Sequence, residues 1–269
     1  MSEPLARIHA VLESIGPSVI ACSGGLDSLL LSIIAHRRAP DSTIIAHAIS
    51  PAVPDEGTAR VRDWAASEGW ALQIVQSGEF QDENYLSNPV NRCYFCKSNL
   101  YASLDPIASA FGARGTVLSG ANLDDLGEYR PGLIAASERG VRHPWVEAEC
   151  SKADIRGLAA LLDLPFADLP ASPCLASRLY TGTRVTAERL RAIHDCENLL
   201  RERTGIVVLR CRIKDDQMLI EVSAEDRARI DDSLLAEVGK HAAQFAPEIA
   251  RAIIDPLPYR AGRAFVGAK

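Results

Sequence analysis

Over the first two thirds of the chain, short apolar runs alternate with longer amphipathic ones. Ser18, Val19, Ile20, Ala21 and Cys22 form a charge-free run too short for a helix, which predicts a buried strand. Leu29, Leu30, Leu31, Ile33 and Ile34 then mark a helix that should end before Pro40. Residues 42–49 form a second β run, 57–69 a helix with Val61, Trp64 and Ala65 on one face, and 70–75 a third strand. A long polar connection, 78–91, leads to a helical run through Leu100, Tyr101, Leu104, Ile107 and Ala108, and Thr116, Val117, Leu118 and Ser119 give the next strand. Ser151, with Asp154 three residues on, opens another helix whose apolar face is Ile155, Leu158, Ala159 and Leu162. Strands alternating with helices predict an α/β unit with parallel pairing.

The rhythm changes after a proline-punctuated loop at 164–178. A helix over 186–203, β runs over 206–213 and 218–223, a helix over 224–244 and a last β run over 249–254 predict a smaller α+β unit. The domain boundary falls between Arg178 and Thr186, giving domains 1–180 and 181–269.

With 269 residues, 47% of them hydrophobic and 24% charged, the chain can bury a full core. A net charge of -6 argues against nonspecific coating of nucleic acid, so a small anionic substrate would be held by a few aimed cations. Neither a signal-type apolar core near the start nor a run of about 18 apolar residues is present, so a cytoplasmic protein without a membrane partner is expected. Disulfides are not expected among seven cysteines in such a chain.

The densest chemistry follows the first strand, where Ser23-Gly24-Gly25-Leu26-Asp27-Ser28 leads into the first long apolar helix. A strand that ends in two glycines before a helix leaves backbone N–H groups at the positive end of the helix dipole, which suits an anion of phosphate type. Gly24 and Gly25 allow close approach, and Ser23 and Ser28 add hydroxyls. Asp27 can hold Mg2+ or cap the helix. The spacing excludes a Walker A loop and a dinucleotide fingerprint. After the fourth strand, Asp124 and Asp125 offer carboxylates for Mg2+ or a cap, and Arg130 offers a planar fork; Asp125 and Arg130 are the favoured site residues. His47 is given no role.

Cys93 and Cys96 form C-x-x-C at a helix start, where the dipole favours thiolate, and Cys174 stands alone in the proline-punctuated loop. A pair of this kind suits a redox dithiol, half a zinc site or plain packing. Three thiolates can hold three irons of a cubane cluster and leave the fourth open. Cys22, Cys150, Cys196 and Cys211 sit in apolar or helical contexts and read as packing.

The glycine turn SGGLDS resembles the PP-loop of the ATP pyrophosphatases, whose core is a Rossmann-like parallel sheet. Together with NRCYFCKSNLY, SGANLDDLGEYRPG and ASPCLASRLYTGTRVT, it is similar in order and spelling to the LarE family of ATP-dependent sulfur transferases. The resemblance implies that ATP, with Mg2+, adenylates a carboxylate of pyridinium-3,5-biscarboxylic acid mononucleotide and that sulfur then displaces AMP to give a thiocarboxylate. The product belongs to nickel-pincer nucleotide cofactor biosynthesis. Some members sacrifice the cysteine that Cys174 matches. Members with cysteines at the positions of Cys93, Cys96 and Cys174 carry a [4Fe-4S] cluster that holds a hydrosulfide, and this chain has all three. The same likeness assigns Arg178, Arg210 and Arg212 to substrate binding, the last two to its phosphate, puts Glu197 and Asp226 near the substrate or metal site, and implies a homo-oligomer. Many relatives have His-Gly and an arginine where this chain has Lys214-Asp215-Asp216 and Leu219. Alternatives left open are sulfur transfer by a sacrificed Cys174, a PP-loop tRNA thiolase, an ammonia-dependent amidotransferase, and a nucleotide-binding scaffold without turnover.

Overall fold

In the computed structural model, which describes residues 2–112, 115–127, 130–249 and 251–267, the chain forms two units. One comprises Met1–Glu79 and Cys93–Ser172, the other Phe80–Arg92 and Pro173–Lys269.

The first unit opens with α1 (Glu3–Ile15), β1 (Ser18–Ala21), α2 (Leu26–Arg38), β2 (Thr43–Ala48), α3 (Asp55–Glu68) and β3 (Ala71–Val75). The chain then leaves for the second unit, where it forms the short helix α4 (Glu83–Leu86), and returns along α5 (Arg92–Ser109). After β4 (Thr116–Ser119) come α6 (Pro131–Glu138), α7 (Pro144–Glu147) and α8 (Lys152–Leu161). The four strands are all parallel in the order β3-β2-β1-β4, a Rossmann-like α/β core. β1 is central, and its neighbours lie on opposite sides, so the crevice for a ligand falls at the carboxyl end of β1.

Burial explains the apolar runs. Val19 and Ile20 of β1 and Leu29, Leu30, Leu31 and Ile33 of α2 are fully buried, each contributing about 2 kcal/mol relative to exposure. α2 is apolar nearly all round because α1 and α8 pack against it as well as the sheet. α8 starts at a complete capping box: Ser151 accepts from the Asp154 amide, and Asp154 accepts from the Ser151 amide.

In the second unit, α9 (Ala187–Thr204), β5 (Arg210–Lys214), β6 (Gln217–Glu221), α10 (Asp232–Ala243) and β7 (Arg251–Ile254) build a three-stranded mixed sheet backed by both long helices. β5 and β6 are antiparallel and β6 and β7 parallel. Two expectations shift here. The β run over 206–213 contracts to β5, and Val207 and Val208 ahead of it are exposed. The helix expected over 224–244 breaks into a 3-10 turn, Asp226–Arg229, and α10, because Asp231 accepts a hydrogen bond from the Leu234 amide and restarts the helix. Asp215 and Asp216 form the tip of the β5–β6 hairpin, with Asp215 at φ 55°.

The excursion over 80–92 is built into this unit by Asn88. Its Nδ2 donates to the carbonyls of Tyr180 and Thr183, both at 2.8 Å, and its own carbonyl accepts from Gly182 at 2.9 Å. The motif segment over 180–185 is thus folded around one buried amide. Among the described residues no helix is long and apolar enough to cross a membrane.

Candidate functional site

At the carboxyl end of β1, the glycine turn is fitted closely to its neighbours. Gly24 sits at φ 80°, and a Cβ there would lie 2.4 Å from the Gly57 carbonyl oxygen at the start of α3. Gly120, just past β4, packs so near the other side that its Cβ would lie 2.9 Å from the Ser28 amide nitrogen. Both positions therefore require glycine. Ser28 Oγ organises the turn, accepting from the Ser23 amide at 3.1 Å and donating to the Gly25 carbonyl at 3.1 Å. Among the described residues no side chain caps α2, so its first-turn amides face the crevice mouth at the positive end of a thirteen-residue helix.

Two cations that the sequence did not single out reach this turn. Lys152, the first residue of α8, places Nζ 2.6 Å from both carboxylate oxygens of Asp27. Its backbone amide donates to Asp124 at 3.1 Å, and Ser151 fixes the start of the helix. Arg60 of α3 donates from Nη1 to the Gly24 carbonyl at 2.5 Å. Trp145 Nε1 donates to the Asp27 carbonyl at 3.0 Å. The capping box told where α8 begins; the separation of 125 positions between Lys152 and Asp27 hid what it faces.

His47 ties β1 to α3. Its Nδ1 lies 2.8 Å from the Cys22 carbonyl and its Nε2 2.9 Å from Thr58 Oγ1. A carbonyl only accepts, so Nδ1 carries the proton and Thr58 donates to Nε2. Burial lowers the His47 pKa, against the opposing pull of the Cys22 carbonyl, and favours the neutral ring.

Asp125 accepts from the Asn122 amide at 3.0 Å and pairs with Arg130 Nη2 at 2.8 Å. Glu128 and Tyr129 of the same motif lie outside the described residues. Cys93 and Cys96 stand on the opening turn of α5, half-buried. The segment that follows Arg130 lies against that turn: a Cβ on Gly132 would come 2.9 Å from Lys97 Cγ and 3.6 Å from the Cys93 carbonyl oxygen. Within the first unit, the start of α6, two residues past Arg130, therefore lies against the helical turn that carries the thiol pair.

The second unit holds the other named residues. Cys174 is exposed and precedes a 3-10 turn, Leu175–Arg178. Arg178 Nε and Nη2 are 3.1 and 3.3 Å from the two carboxylate oxygens of Glu197, and Arg201 adds a contact at 2.9 Å. Burial raises the Glu197 pKa, but Arg178, Arg210 and Arg201 outweigh it and hold the carboxyl below its usual range. Arg210 lies over the Tyr259 ring at 5.3 Å and donates to the Leu209 carbonyl at 2.7 Å. Burial first, then the nearby Arg178 charge, lowers its pKa. Arg212 is 2.8 Å from Glu221, and Arg263 lies 3.1 Å from the same carboxylate. Asp226 accepts from Ser223 Oγ at 2.8 Å and pairs with Arg229 at 3.1 Å, tying its own turn.

Cys22, Cys150, Cys196 and Cys211 are buried, and burial raises each thiol, Cys196 up to about 12. They stay protonated. Cys93 and Cys96 belong to the first unit and Cys174 to the second. Within either unit, the described residues gather no three His, Cys, Asp or Glu side chains into a group that could hold a metal ion.

No protein-family model matches the chain. Over 231 residues it is 31% identical to the pyridinium-3,5-bisthiocarboxylic acid mononucleotide synthase of Lactiplantibacillus plantarum, spanning 86% of this chain and 82% of that protein. The chain belongs to the LarE family. This LarE chain is also 38% identical over 225 residues to an uncharacterized protein of Synechocystis, spanning 84% of this chain and 83% of that protein. An uncharacterized protein of Methanocaldococcus jannaschii is 28% identical over 208 residues, 77% of each chain.

Proposed function

We propose that this LarE-family chain is an ATP-dependent sulfur transferase that adenylates a carboxylate of pyridinium-3,5-biscarboxylic acid mononucleotide and replaces the AMP with sulfur. The observation that carries the reading is the glycine turn at the sheet's crevice, with an uncapped helix behind it and the cations Lys152 and Arg60 converging on it. The synthase relative supplies the substrate class.

In this reading the α2 amides and the Ser23 and Ser28 hydroxyls receive the pyrophosphate end of ATP. Lys152 turns from Asp27 to the phosphates as ATP arrives, a short displacement for a flexible point charge. Asp27 and Asp125 are the carboxylates that would hold Mg2+, which supplies neutralisation of phosphate charge. Arg210, stacked on Tyr259 and half-buried, is the cation this reading gives to the substrate's phosphate. Adenylation makes AMP the leaving group, and release of pyrophosphate accompanies it.

Cys93, Cys96 and Cys174 would hold a [4Fe-4S] cluster. The all-thiol donor set fits: two ligands stand three residues apart on one helical turn, and the third is exposed. When bound, the cluster supplies the sulfur that the activated carboxylate takes up. A cluster reloaded from an external sulfide donor would make the transfer renewable, whereas a sacrificed Cys174 limits each chain to one event.

Anaerobic purification, iron and sulfide analysis, and incubation with ATP and the biscarboxylate nucleotide test the reading together. About four irons per chain, pyrophosphate release and a thiocarboxylate product by mass spectrometry are expected. Iron-free chains that make product while Cys174 loses its sulfur overturn the cluster and select the sacrificial route. Absence of pyrophosphate release overturns the enzyme reading.

A further inference from the structure

The turn that follows Cys174 is gripped at both ends by buried ion pairs. At its start, Arg178 Nη1 donates to the carbonyls of Pro173 at 2.6 Å and Cys174 at 3.1 Å, and to Ser177 Oγ at 3.2 Å. At its end, Arg212 Nη1 donates to the Ser177 carbonyl at 3.0 Å, while Nη2 donates to the Arg260 carbonyl at 3.1 Å. Each arginine is backed by a buried carboxylate: Arg178 makes two hydrogen bonds to Glu197, the pair 4% and 2% exposed, and Arg212 Nε lies 2.8 Å from Glu221 as a charge contact outside hydrogen-bond geometry, the pair 4% and 0% exposed. We propose that Arg178 and Arg212 are positioning residues that fix the backbone on either side of Cys174 and so aim its thiol. The proposal rests on Cys174 being the sulfur-handling thiol, and it assigns these two arginines a different task from Arg210.

The geometry explains why two such costly pairs would be kept. A four-residue 3-10 turn beside an exposed loop has poor hydrogen-bond geometry and little strength of its own. A thiol that helps hold the sulfur-delivering group beside an activated carboxylate costs rate steeply if its backbone wanders by an ångström. A guanidinium is a rigid plane, so once a carboxylate has aligned one edge the remaining N–H groups have a fixed direction. Glu197 is itself set by α9 and by the Cys211 amide at 3.2 Å, and Glu221 by β6 and Arg263 at 3.1 Å. Rigidity therefore passes from the helix and sheet through the arginines to the carbonyls of Pro173, Cys174 and Ser177. Arg178 thus spends Nε, Nη1 and one N–H of Nη2 on Glu197 and the turn.

The test is hydrogen exchange by mass spectrometry on the full chain, read in the peptide over 173–179, with steady-state sulfur transfer alongside. Arg178→Lys keeps the charge and loses the fork. The double variant Arg178→Met/Glu197→Gln removes the clamp without leaving a lone buried charge, so it folds where a single truncation fails. In both, exchange over 173–179 should rise roughly tenfold while α9 keeps its protection. Thiocarboxylate formation should fall about tenfold in kcat, with KM for the nucleotide substrate within a factor of about three. Unchanged exchange over 173–179 in both variants overturns the proposal, as does a raised KM with kcat intact, the signature of a substrate-binding arginine. Because exchange needs no turnover, an inactive wild-type chain would sink the functional reading while leaving the clamp decidable. An active wild type with flat exchange would sink the clamp alone.

Discussion

Two sets of ion pairs in this molecule look alike on paper and behave oppositely. Lys152–Asp27, at the mouth of the first unit's sheet, is part-exposed, and each partner is a third or less open to solvent. Arg178–Glu197 and Arg212–Glu221 are sealed, and Nη1 of each arginine is directed at backbone carbonyls. An exposed pair gains little from its own attraction, so it can exchange partners when a phosphate or a divalent ion arrives. A sealed pair cannot release one partner without stranding a charge. The first arrangement suits binding and the second suits support.

That contrast can be broken by substitution. Arg178→Ala should cost about 3 kcal/mol or more in urea unfolding, because Glu197 loses its bidentate partner in a dry site. Gly24→Ala should come next, at about 2 kcal/mol, with loss of pyrophosphate release, since the added carbon meets the Gly57 carbonyl at 2.4 Å and φ is 80°. Lys152→Ala should change stability by less than about 1 kcal/mol yet reduce kcat/KM for ATP roughly a hundredfold. If Lys152→Ala unfolds the protein as badly as Arg178→Ala, the distinction between binding and supporting pairs is wrong.

The acid limb of stability sharpens the same point. Glu197 is held below its usual range, so its contribution is fully present above the unfolded carboxyl value of about 4.3 and is lost as pH falls through the folded one. Glu197→Gln should therefore flatten the fall of urea midpoint below about pH 4 while leaving the slope near neutrality unchanged. The smallest effect belongs to Asp226→Asn, within about 0.5 kcal/mol, as its partners Ser223 and Arg229 lie at an exposed turn.

The parallel core was legible because its strands are short, apolar and separated by helices with one clear face. Val19, Ile20 and the leucines of α2 leave no other place to go than a shared interior. The break before α10 was not, since residues 224–230 have ordinary helix-forming composition and only the Asp231 cap decides otherwise. Val207 and Val208 read as strand although nothing in the fold buries them. At the site, SGGLDS announced itself through local spelling. Lys152 and Arg60 did not, because a lone cation carries no mark of the distant backbone it faces. Arg210 and Arg212 share strand parity, yet one stacks on Tyr259 and the other disappears between Glu221 and the Ser177 carbonyl. Parity fixes a direction along a strand; neighbours from elsewhere fix what a side chain does there.

The hold of Asn88 on Tyr180 and Thr183 has a practical corollary for anyone wishing to divide this protein. A fragment started at Pro173 would carry every strand of the smaller sheet and still lack the amide around which its entrance is wound. Expressed by itself, such a piece should be poorly soluble, and supplying residues 80–92 as a separate peptide should rescue it, making the excursion a removable keystone.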